Sequence, residues 1–257
     1  MVSAAAKRPS TPDPTHYPVE DDVGEGIVHR LVADLLRALV ERWLAQRGKP
    51  TFVGASQFVY WVQHEPTRSV APDVYVLPGV APGTDVKTWK VWETGVVPSF
   101  ALEVVSSDVD KDYEHGPRRY DELGVRELVV FDPEYDLDPP ARGSRNERCR
   151  WQVFRRVPRR GFVLVLRTNA DRVRSKVLGA WLRVVGDGSA LRVRLATDAR
   201  GDLLLPTEAE AERAAKEAER AAKEAERAAR EAERAGREAA EAEVAKLRAE
   251  LEALRRR

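Results

Sequence analysis

The most constraining stretch of the chain is residues 100–133, FALEVVSSDVDKDYEHGPRRYDELGVRELVVFDP, which reads as strand, polar bridge, short helix and strand. Phe100 to Val105 is an apolar run with β-branched residues at its end, as suits a buried strand. Glu103 interrupts it. A carboxylate in such a strand is costly to bury unless something pairs with it. Tyr120 and Leu123 mark the inner side of a short helix, and Gly124 stands where a C-terminal cap belongs. Glu127 to Asp132 is a second buried strand, stopped by Pro133. Two strands joined by a helix favour parallel pairing through a right-handed crossover. That arrangement lays the helix on one face of the sheet and points Glu103 towards whatever the sheet cradles.

A second carboxylate stands upstream. Val70 to Pro78 (VAPDVYVLP) reads as a strand that opens on Pro72-Asp73. Asp73 and Glu103 are expected to converge at the ends of neighbouring strands. Two acidic ligands with a nearby carbonyl form a divalent site of the Mg²⁺ type. Such an ion activates water and steadies a phosphate under attack. The competing reading makes Asp73 and Glu103 edge carboxylates that meet Arg118 or Arg126.

Residues 1–22, rich in Pro, Ser, Thr and Ala, read as a disordered leader. From Gly24 to Gln46, apolar residues such as Leu31, Leu35, Leu39 and Trp43 recur at helical spacing, and Gly48 closes the run. His29 lies on the first turn and, as a lone histidine, reads as a packed or capping residue rather than a ligand. Thr51 to Val62 is strand-like and is expected to neighbour the Asp73 strand as a hairpin, with Gln63 to Ser69 as the polar turn. Residues 78–98 form a loop in which Lys87, Trp89, Lys90 and Trp92 interleave. That pattern can face a nucleic acid; the plainer reading is a solvated loop with its tryptophans packed on the body. Beyond an exposed connection after Asp132, Arg150–Val157 and Phe162–Arg167 form a hairpin around Pro158 to Gly161. Val177–Val185 and Leu191–Leu195 are late strands that extend or flank the sheet.

Charge is balanced at +1, so no global basic field announces nucleic acid. A single cysteine, Cys149, excludes an internal disulfide framework and suits a reducing cytosol, so a cytoplasmic location is expected. No run approaches the roughly 20 apolar residues of a membrane helix, and the N-terminus has no signal-peptide core.

The tail is a different material. EAERAAK recurs with a seven-residue period from Glu210. Its Ala, Glu, Arg and Lys are strong helix formers with charges at i, i+3 and i+4. The Ala211, Ala214, Ala218 and Ala221 stripe buries little area, so helix pairing through it is weak until Val244, Leu247, Leu251 and Leu254. A long charged helix results, either a coiled-coil strand that makes a homo-oligomer or a spacer.

Pro72-Asp73, Glu103-Val104-Val105-Ser106, Tyr120 and Gly124-Val125-Arg126-Glu127 through Phe131-Asp132-Pro133 occur in an order that resembles the Uma-type restriction endonuclease family, a branch of the PD-(D/E)XK nuclease superfamily. The resemblance covers roughly residues 25–200, and the His29 helix matches it as well. It implies an α/β fold: a restriction-endonuclease-like mixed sheet flanked by helices, here followed by the charged C-terminal helix. The division expected is a leader at 1–22, a nuclease-like domain at 23–205 and the repeat helix at 206–257. It also implies hydrolysis of DNA phosphodiesters with Mg²⁺ or Mn²⁺, Asp73 and Glu103 as metal ligands and the Val105 carbonyl as a third. The superfamily's lysine, two residues after the glutamate, is Val105 here; the family's displaced position, four before Tyr120, is Gly116. Either Lys111 or His115 replaces that lysine, or the fold is kept as a binding or assembly module with its catalysis impaired. Arg119 cannot act as a base.

Overall fold

Alternation of side chains along the strands divides the apolar residues of the central sheet between two faces, and each face acquires its own cover. The computed structural model describes residues 15–17, 27–48, 50–106, 111–136 and 148–255. Among them the central sheet has six strands: β1 (Thr51–Gly54), β4 (Val74–Pro78), β6 (Phe100–Val104), β7 (Glu127–Phe131), β8 (Trp151–Val157) and β9 (Gly161–Thr168), in that spatial order. β6 and β7 run parallel, as their helical connection requires, and the other neighbours are antiparallel. A small sheet holds β2 (Val59–Tyr60) between β3 (Ser69–Val70) and β5 (Trp89–Lys90), and a further one comprises β10 (Arg172–Ser175), β11 (Ala180–Val185) and β12 (Arg192–Ala196).

On one face, Val74, Val76, Phe100, Leu102, Val129 and Phe131 pack with the stripe Val32, Leu36, Leu39 and Val40 of α1 (Ile27–Ala45) and with Leu182 and Leu195 of the β10–β12 sheet. On the other, Tyr75, Leu77, Ala101, Leu128 and Val130 pack with Tyr120 and Leu123 of α3 (Gly116–Leu123) and with Val59 and Trp89 of the small sheet. The short α2 (Val91–Thr94) follows β5 directly. Glu127, buried at the start of β7, is paired: Arg155 lies opposite it on β8, and Ser175 Oγ and the Lys176 N–H donate to it. That cluster ties the central sheet to β10.

The structure departs from the sequence reading at several joints. The expected strand over 51–62 is two strands in two sheets: Ser56 turns the chain with φ of 58°, while Gln57 accepts from the Ala55 N–H. The expected strand over 70–78 divides as well, leaving Asp73 between β3 and β4 rather than within a strand. The 78–98 loop contains β5 and α2, and Trp89 is buried with its indole N–H on the Val96 carbonyl. The late strands form their own sheet, with β10 as an extra member that lacked enough apolar residues to announce itself. The 1–22 leader, apart from residues 15–17, and most of the connection after Tyr135 lie outside the described residues.

The chain divides into two compact units, Met1–Leu205 and Pro206–Arg257. The second is dominated by α4 (Glu208–Arg255). A reciprocal capping box starts it: the Glu210 N–H donates to Thr207 Oγ1 and the Thr207 N–H to Glu210 Oε2. Exposed i,i+4 pairs such as Glu212–Lys216, Glu219–Lys223 and Arg227–Glu231 follow along it.

Gly54 lies opposite Tyr75, and a Cβ there would clash with Cζ of the buried tyrosine. The ring is held by a bond from its hydroxyl to Gln57 (3.1 Å), so it cannot swing away freely. Gly54→Ala is expected to destabilise the fold by about 1–3 kcal/mol, as overpacking does, read as a lowered urea midpoint with an unchanged slope.

Candidate active site

Glu103 occupies the fourth position of β6, on the face that carries Ala101 and Val105 and looks towards α3. Across from it, Asp73 stands at the mouth of β4, where antiparallel pairing of Val74 with Leu102 brings the two acids side by side. The Asp73 carboxylate is close enough to act on the ionisation of Glu103. Asp73 itself is buried and held twice: Oδ2 accepts the Val104 N–H at 2.6 Å, and His29 Nε2 lies 2.7 Å from Oδ1. The lone histidine of α1 is therefore a member of the site, which its position in an amphipathic helix gave no means of seeing.

Glu103 Oε1 accepts a short hydrogen bond from the Tyr120 hydroxyl of α3. Desolvation, and after it the negative charge of Asp73, raise the Glu103 carboxyl well above its ordinary value; the Tyr120 bond opposes this, and Asp112 adds to it. Tyr120 is raised in turn, first by burial and then by Glu103. Arg118 and Arg126 are exposed, and Tyr120 and His29 take the places that the ion-pair reading gave to them.

The contrast with two other buried carboxylates is informative. Glu127 has Arg155, and Asp132 has Arg148 in a two-point pair at 2.7 and 2.8 Å. Both are ordinary compensated burials. By contrast, the groups that act most on Glu103 are the carboxylates of Asp73 and Asp112 and the Tyr120 phenol.

The bridge between β6 and α3 is helical from Lys111, but Lys111–His115 is a π-turn. Regular α-helix begins at Gly116, with Pro117 in its first turn where the missing N–H costs nothing. Asp112 in the turn accepts from Ser106 N–H (2.7 Å) and Oγ (2.9 Å). Its neighbour Tyr113 donates to Asp132 Oδ2 (2.8 Å) and accepts from the Cys149 N–H (3.1 Å). Asp112 thereby closes the Val105–Ser106 corner, and the Val105 N–H continues the ladder to the Phe131 carbonyl at 2.8 Å. Asp112 escaped the sequence reading; the only signal was a carboxylate six residues beyond a serine. His115 is exposed at the end of the turn, and the side chain of Lys111 lies outside the described residues.

The Uma2 family, described as putative restriction endonuclease, matches residues 19–184. The chain belongs to that family. The match takes in α1 with His29, Asp73 with β4, β6 with Glu103, and α3, and it ends before α4. A solved structure, that of a putative nuclease belonging to DUF820 from Anabaena variabilis, is similar over 60% of this chain and 75% of its own, at 12% identity and a TM-score of 0.39. No curated protein matches the chain. Among the described residues, no helix is long and apolar enough to cross a membrane.

For the chelated, metal-free protein the pH dependence has a definite sign. A carboxyl whose folded pKa is raised holds its proton in the native state when the unfolded chain has lost it. Stability therefore falls as pH rises above the ordinary glutamate value of 4.5. Glu103→Gln lacks this titration. Urea unfolding in EDTA is expected to show the variant gaining on wild type between pH 5 and pH 8.

Proposed function

We propose that the chain is a divalent-metal-dependent endonuclease that hydrolyses DNA phosphodiester bonds, with Asp73 and Glu103 holding the ion. The observation that carries this reading is a carboxyl, Glu103, set against the carboxylate of Asp73 in an otherwise apolar strand, with a phenol as its hydrogen-bond partner. A cation relieves such a pair.

The donor set fits a hard ion of the Mg²⁺ or Mn²⁺ kind. Among the described residues, no three His, Cys, Asp or Glu side chains gather into a cluster able to hold a metal. Mg²⁺ needs none, since it keeps several waters and takes only one or two carboxylates. Asp73 and Glu103 supply these, and the Val105 carbonyl is the third ligand that the family resemblance implies. When bound, such an ion acidifies a water and stabilises charge on a phosphate. The chain's own contribution is orientation. His29 and the Val104 N–H fix Asp73, Tyr120 fixes Glu103, and Asp112 fixes the corner that carries Val105. Lys111 or His115, on the π-turn, takes the proton of the attacking water.

A second reading has its own support. Gly116 stands where the family resemblance places the lysine, so the frame can bind an ion and nucleic acid without efficient turnover. Calorimetry with Mn²⁺ and a plasmid-nicking assay separate the two. Under the first reading, wild type binds and nicks, while Asp73→Ala and Glu103→Ala lose both, nicking by at least a hundredfold. Binding without nicking by wild type establishes the second reading, and no binding at all removes the metal site.

The tail acts in assembly. Val244, Leu247 and Leu251 are exposed on α4 at coiled-coil spacing. Removal of residues 208–257 is expected to lower the mass measured by light scattering to that of a monomer.

A further inference from the structure

The segment Thr15–Tyr17 is seated in a pocket that neither the family resemblance nor the carboxylate site accounts for. Tyr17 is 8% exposed although it belongs to a stretch composed as a leader. Its ring meets Tyr60 edge-on with centroids 4.9 Å apart and Trp92 at 5.5 Å, and Lys90 Nζ lies 4.5 Å from its centroid. Its hydroxyl accepts the backbone N–H of His64 at 3.0 Å, and Thr15 Oγ1 lies 3.1 Å from His64 Nδ1. His64 has φ of 67°, a left-handed conformation unusual for a residue with a Cβ. Strain of that kind persists where the surroundings hold it, commonly at ligand clamps. Here the strained residue is the one that grips the ring.

We propose that Tyr60, Trp92, Lys90 and the His64 N–H form a binding site for an unstacked nucleobase of single-stranded DNA, and that Tyr17 occupies it as a tethered substitute. Each contact transfers to a pyrimidine. Its ring replaces the phenol, edge-on to Tyr60 and tilted against Trp92, and contact of a base with aromatic side chains is tolerant of which base is present. Its exocyclic carbonyl oxygen accepts the His64 N–H as the Tyr17 hydroxyl does. The adjoining phosphate takes the Lys90 ammonium, which is otherwise shared between the Tyr17 ring and Glu93 at 3.6 Å.

The pocket is near the carboxylates along the chain and the sheet. Tyr60 is paired with Ser69, and Ser69 precedes Asp73 by four residues, so the two places are at most about 20 Å apart. Arg119, beside Tyr120 on α3, bonds the Ser69 carbonyl at 3.0 Å and ties the same sheet to the site. One strand of DNA can reach both. The inference rests on nucleic acid being the substrate, and it adds where a displaced base is held.

The test measures binding in EDTA, so that cleavage plays no part. Fluorescence anisotropy of a labelled oligothymidylate is compared for wild type, Tyr17→Ala and Tyr17→Ala/Trp92→Ala. With the box vacated, Tyr17→Ala is expected to bind about tenfold tighter, as one base held against aromatic side chains contributes, and the double variant to lose that gain. Unchanged or weaker binding by Tyr17→Ala overturns the proposal and leaves Tyr17 an anchor only. Thymidine monophosphate binding Tyr17→Ala as tightly as the oligomer overturns the assignment to a strand. Should Tyr17→Ala fail to fold, the unaltered chain decides: saturating oligothymidylate is expected to quench its tryptophan emission by an amount that Trp92→Phe lacks, and equal quenching in both is fatal. Asp73→Ala is expected to keep box binding, so loss of nicking with binding retained bears on the metal site alone.

Discussion

Two carboxyl groups brought side by side at the centre of the main sheet set the terms for the rest of this structure. The arrangement is unfavourable on its own: desolvation and mutual repulsion both act against ionising Glu103. It persists because the elements on either side are stable without it. β6 is paired on both edges, α1 covers one face and α3 the other, and the two apolar clusters hold the strand ends in register. Local electrostatic cost is thus sustained by packing elsewhere.

Buried carboxylates serve two purposes within one fold. Glu127 and Asp132 each face an arginine and act as stitches, the first joining the central sheet to β10, the second joining the end of β7 to Arg148 and the bridge through Tyr113. Glu103 faces acids instead. Charge type among the described neighbours, rather than burial, separates Glu103 from these two structural acids. The bridge is part of the same design: a π-turn with adjacent residues pointing different ways lets Asp112 serve the Glu103 corner while Tyr113 serves the sheet end.

Much of this was legible in the residues. An apolar run with one acid, a helix ended by Gly124 and a second apolar run stopped by Pro133 specify strand, helix and parallel strand by local chemistry alone. The order of Asp73 before Glu103 carried the family and the pairing of the two acids. What escaped was non-local. Splitting of 51–62 depends on a left-handed Ser56 and on Gly54 yielding space to Tyr75, which lies across a strand pair. His29 looked like one more residue of an amphipathic helix because its partner is 44 positions away. Tyr17 lay in a stretch whose composition argued only for disorder, and its pocket is assembled from β2, the turn at His64 and the β5–α2 junction.

By itself, the sequence determined the strand–helix–strand unit of β6, α3 and β7, the apolar stripes of α1, the hairpin of β8 and β9, and the charged helix α4. All of these are set by periods of two or 3.6 residues and by neighbours within a turn or two. Only the tertiary structure decided which polar groups meet. Whether an acid finds an arginine, a histidine or another acid depends on strand order and helix placement, and these emerge from burying all the apolar faces at once. Glu103 and Glu127 are both glutamates in apolar strands, and nothing within several residues of either tells them apart; the fold gives Arg155 to one and Asp73 to the other.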